Sequence, residues 1–102
     1  MIVNKMNNWK NYTVNIGHVK QNTSKTFTFE SKLPLDISRV QPGCEGCTKF
    51  IDYKDNILTI KYNAPQYPIH LKTMEQVINK EIIIYYNDGT QDKLKFVGFL
   101  KR

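Results

Sequence analysis

Cys44 and Cys47 stand three residues apart, the C-x-x-C spacing at which paired thiols exchange disulfides or bind a metal. Redox catalysis by such a pair needs a helix amino terminus within a βαβ pattern to stabilise the thiolate. Here Gln41-Pro42-Gly43 precede the pair and Glu45-Gly46 lie inside it, so it falls in a glycine-rich turn. A tetrahedral zinc site would require two more ligands, and His18 and His70 are the only histidines. They lie 26 residues before Cys44 and 23 after Cys47, unlike the ligand spacing of compact zinc modules. The pair is left as a disulfide across a tight loop or as two reduced thiols, and no metal or cofactor is expected.

No serine nucleophile motif, phosphate-binding glycine loop or paired-carboxylate helix accompanies the histidines. Asp52, Asp55, Asp88 and Asp92 read as turn residues whose side chains bond nearby backbone amides, and their spacing is not that of a calcium loop. The expectation is a protein that is not an enzyme.

The elements that would carry these residues are strands. Tyr12, Val14 and Ile16 alternate with Thr13, Asn15 and Gly17, and Phe27 and Phe29 alternate with Thr26, Thr28 and Glu30. Period two is the mark of a strand with one face buried. Ile37 to Val40 reads as a short third strand after the Leu33-Pro34-Leu35 interruption. Residues 49–53 and 57–62 flank Lys54-Asp55-Asn56 as a hairpin, with Leu58, Ile60 and Tyr62 facing inward. Two prolines make residues 63–68 a crossing loop. Met74, Val77 and Ile78 have helical spacing over too few residues, so residues 73–79 are expected to be loop. Residues 81–86 form an apolar run suited to a strand buried on both faces or at a sandwich core, and Asp88-Gly89 then turns the chain into a last strand bearing Leu94, Phe96 and Gly98. About seven strands in one short chain is the pattern of an all-β, immunoglobulin-like sandwich. Residues 11–102 are its expected extent, with residues 1–10 as a flexible arm.

Size and composition agree with one domain: 102 residues cannot stabilise two cores, and 12% aromatic residues argue against disorder. A net charge of +6 favours acidic partners. The cations form no run longer than Lys101-Arg102, so nucleic-acid binding is not the expected role. The amino terminus lacks the pattern of a secretory signal, and no apolar stretch approaches membrane-spanning length. A soluble protein made in the cytoplasm is expected, with no membrane partner.

Residues 15–19 (Asn-Ile-Gly-His-Val), 25–29 (Lys-Thr-Phe-Thr-Phe), 40–48 around the cysteines, 84–89 and 94–98 together resemble Hydin-like immunoglobulin-like domains and their bacterial relatives of unknown function. The resemblance runs over about residues 12 to 100 and implies the same sandwich. A free-standing chain of this size is similar to the small accessory proteins that tailed bacteriophages, the crAss-like group included, add to their capsids. That similarity implies a structural role in a virion, as an auxiliary capsid protein packed on or between coat subunits. Contacts are expected from Trp9, whose ring otherwise caps the sandwich as core, from Pro65, Tyr67 and His70 in the crossing loop, and from Lys101 and Arg102. Competing roles are nucleic-acid binding by lysines and exposed aromatics, and a metal-stabilised regulatory module built on Cys44 and Cys47.

Overall fold

Alternating apolar and polar residues pair into seven strands: β1 (Thr13–Lys20), β2 (Ser24–Glu30), β3 (Ile37–Pro42), β4 (Thr48–Lys54), β5 (Ile57–Asn63), β6 (Glu75–Tyr86) and β7 (Gln91–Lys101). They are seen in a computed structural model that describes residues 8–68 and 75–102. Among the described residues there is no helix, and so none long and apolar enough to cross a membrane. The strands form a four-stranded sheet of order β1-β7-β6-β3 and a three-stranded sheet of order β2-β5-β4. Lettered in chain order these read A-G-F-C and B-E-D. Constant-type immunoglobulin domains place strand A beside B instead, so the first strand is the difference.

That first strand runs parallel to β7, with a bulge between Asn15 and Gly17. Gly17 adopts a φ of 74°, a left-handed conformation that glycine tolerates without penalty, and its amide is held by Asn15 Oδ1 at 2.8 Å. Gly98 lies opposite, where an added Cβ would collide with the Gly17 carbonyl oxygen and sit 2.9 Å from Ile16 Cγ1. The close approach of β1 to β7 therefore depends on having no side chain at residue 98.

The inward residues of the two sheets fill one core. Phe27, Phe29, Leu58, Ile60 and Tyr62 come from the smaller sheet, and Ile16, Val19, Ile82, Ile84, Leu94 and Phe96 from the larger. Phe96 joins the layers, its ring centroid 4.7 Å from that of Phe27 and 5.5 Å from that of Tyr62. Each such side chain contributes about 1.5–3 kcal/mol by leaving water. The β4–β5 hairpin turns through Asp55 and Asn56, both at positive φ, as a tight two-residue turn requires.

Two expectations need correction, that residues 73–79 are loop and that Asp52 and Asp92 mark turns. Residues 75–79 are strand, not loop: β6 begins at Glu75 and pairs with β7 from Glu75↔Lys101 onward, so Val77 and Ile78 face opposite sides. The apolar run at its end takes the sandwich-core setting, with Ile82 and Ile84 in the core and Ile83 and Tyr85 half-buried on the outer face. Asp92 belongs to β7 and is buried, and Asp52 lies within β4, so neither marks a turn.

The long β6–β7 pair extends past the shorter strands of the other sheet, and the crossing loop covers what they leave exposed. Ala64 and Tyr67 are buried with Val19, Ile78 and Leu100 in the same core cluster, and Tyr67 N–H donates to Gln21 Oε1 at 2.7 Å. Before β1, Trp9 is 1% exposed and bridges to Ser31 in antiparallel fashion. Its indole is core, and within the arm expected over residues 1–10 at least residues 8–10 are anchored to the sandwich; residues 1–7 lie outside the described residues.

Candidate interaction surface

Cys44 and Cys47 are joined by a disulfide, in a turn where the amides of Cys47 and Thr48 both donate to the Cys44 carbonyl. Both sulfurs are thereby engaged. His18 is on the outer face of β1, with Nε2 3.0 Å from Glu75 Oε2 and its ring tilted against Phe99 at 5.4 Å. His70 lies outside the described residues. Among the described residues no group of three or more His, Cys, Asp or Glu side chains is placed to hold a metal ion.

The residues expected to make partner contacts do not form one surface. Trp9 and Tyr67 are both buried in the core of this chain, which for Trp9 is the core-cap alternative to a contact role and for Tyr67 corrects its assignment as a contact residue. Pro65 is exposed on the crossing loop. Arg102 lies over the Tyr67 ring at 5.2 Å, and together with Gln21 and Gln66 they line a small depression of about 240 Å³. Lys101 instead projects from the outer face of the larger sheet.

That outer face has a composition that sequence alternation only hinted at. Val77 and Phe99 stand directly opposite across β6 and β7, 68% and 40% exposed. His18 of β1 adjoins Phe99 in the same row, and the half-buried Val97, Ile83 and Tyr85 continue the apolar surface along the hairpin. The same side of the ladder carries Lys20, Arg39, Lys93, Lys95 and Lys101, against Glu75 and Glu81. Five cations scattered along the chain are thus brought onto one face, because alternate residues of neighbouring strands share a face, while Lys49 and Lys61 stand opposite each other on the smaller sheet.

Each carboxylate of the face has a cation nearby: Glu81 lies 3.7 Å from Lys93 Nζ, and Glu75 lies 3.8 Å from Lys101 Nζ. The aromatic rings are also engaged. The Arg39 guanidinium covers Tyr85 at 4.5 Å, and His18 leans on Phe99.

A second apolar feature is a cleft of about 340 Å³ where the sheets part between β3 and β4, lined by Leu35, Ile37, Val40, Phe50 and Tyr53 among others. Phe50 and Ile51 beside it are exposed. A bulge between Phe50 and Asp52 interrupts the edge strand there, a device that disfavours pairing with another strand.

A buried polar network around Tyr86 is structural in its geometry. Trp9 Nε1 donates to the Tyr86 hydroxyl at 2.9 Å, which donates to Asp92 Oδ2 at 2.7 Å, and Asn8 Nδ2 donates to the same oxygen at 3.1 Å. Burial, then the bond to Asp92, pushes the Tyr86 phenol far above its ordinary range, so it remains a neutral donor at alkaline pH where a free phenol ionises. No family model matches the sequence, and no curated protein or solved structure matches it.

Proposed function

We propose that this protein is a non-enzymatic interaction module that docks onto another protein through the outer face of its β1-β7-β6-β3 sheet. The observation that supports this reading is the directly opposed Val77–Phe99 pair, exposed one row in from the end of the β6–β7 ladder, beside the row that holds Lys20 and Lys101. Apolar side chains ringed by polar ones are the usual anatomy of a docking surface. In its finer form the partner is a bacteriophage coat protein and this chain an auxiliary capsid protein. That form rests on the resemblance to Hydin-like domains and phage accessory proteins, with the sandwich as a rigid carrier.

The same cations would attract nucleic acid. Stacking of bases needs free ring faces, and those of Tyr85 and Phe99 are engaged by Arg39 and His18. A protein partner is therefore the better fit.

Co-sedimentation with assembled coat particles from the protein's own source tests both forms. The wild-type protein should pellet with the particles, and Val77→Asp should remain in the supernatant with unchanged circular dichroism. Pelleting unaffected by Val77→Asp and Phe99→Ser would remove this face from the reading, and a wild-type protein that never pellets would remove the coat.

A further inference from the structure

We infer that the surface this face recognises is acidic, with carboxylates that bind Lys20 and Lys95 first; the inference rests on the docking reading above. Five cations stand against two carboxylates on the face, and among the described residues neither Lys20 nor Lys95 makes an ion pair. Lys20 is the direct partner of Lys101 across β1 and β7, so two like charges are adjacent. Such an arrangement destabilises the isolated sheet slightly. A carboxylate placed between them reverses the sign of that interaction.

Glu75 and Glu81 sharpen the argument. Glu75 lies close to both His18 and Lys101, and Glu81, which stands opposite Lys95 in the ladder, pairs with Lys93 instead, all in exposed pairs at 3.0 to 3.8 Å. Exposed pairs of this kind are weak and readily exchanged. In the free protein the two glutamates occupy cations that an acidic partner would otherwise reach. Neutralising Glu81 therefore strengthens binding to an acidic ligand, whereas neutralising Lys95 weakens it. A surface that bound only through Val77 and Phe99 would respond to neither change.

The probe is poly-L-glutamate, titrated into the full chain and followed by amide NMR, with an oligo-dT of matched charge titrated in parallel. Poly-L-glutamate should move resonances of β1, β6 and β7, and its affinity should fall steeply between roughly 0.05 and 0.15 M salt. Lys95→Gln should lower the affinity about two- to five-fold, and Glu81→Gln should raise it by a similar factor. Shifts confined to the smaller sheet, or the absence of opposite effects in the two variants, would overturn the inference. Tighter binding of oligo-dT than of poly-L-glutamate would overturn it in favour of nucleic acid. If this titration fails while Val77→Asp still abolishes co-sedimentation, the docking face stands and only its acidic preference is lost.

Discussion

The Trp9 indole donates a 2.9 Å hydrogen bond to the hydroxyl of Tyr86, 77 residues later in the chain. It ties the segment before β1 to the end of β6. The ring also packs edge-on against Tyr53 of β4, so one side chain touches both sheets. Trp9→Ala should lower the unfolding free energy by about 3–5 kcal/mol. Trp9→Phe keeps most of the packing and loses the donor, and should cost about 1–3 kcal/mol. Urea unfolding followed by circular dichroism measures both, and a loss near zero for Trp9→Ala would contradict the core assignment.

Gly98 carries the next prediction. Because a Cβ there meets the Gly17 carbonyl and Ile16, Gly98→Ala must push β1 away from β7. A cost of about 1–3 kcal/mol is expected, as for other overpacked cores. Amides of residues 13–20 should lose protection from hydrogen exchange before those of β5. Uniform loss across all strands would show that β1 is not the element displaced.

How far these relationships could be read in advance depended on what each strand buries. β2 and β5 were legible because Phe27, Phe29, Leu58, Ile60 and Tyr62 alternate strictly with polar residues and all enter the core. The first half of β6 was not. Its inward positions are Gln76, Ile78 and Lys80, and Val77 points outward, so period two is absent. Pairing with β7 makes it a strand, which is a tertiary effect. The proposed docking face was hidden for the same reason: Val77 and Phe99 are 22 residues apart in the chain and adjacent only in the ladder. Trp9 was legible as a large aromatic with two roles open, and only its burial decides between them.

Alkaline pH should destabilise the fold. Burial raises the phenols of Tyr12, Tyr62 and, most of all, Tyr86, the last with help from Asp92. The unfolded chain ionises these groups near pH 10. Below that pH both states are protonated and the stability is fully present; as pH rises above it, the unfolded state loses protons that the folded state retains, and stability falls. Chemical unfolding from about pH 8 to 11 should show this decline. Tyr86→Phe should make it shallower. A decline of equal slope in that variant would assign the effect to other groups.

The claim that the larger sheet's outer face docks onto a protein is tested most directly by hydroxyl-radical footprinting of the full chain, free and bound to coat particles. Phe99 and Tyr85 on that face should become protected on binding, while Phe50, exposed beside the β3–β4 cleft, should stay reactive. Protection of Phe50 and Ile51 with no change at Phe99 would contradict the account and move the interface to the cleft.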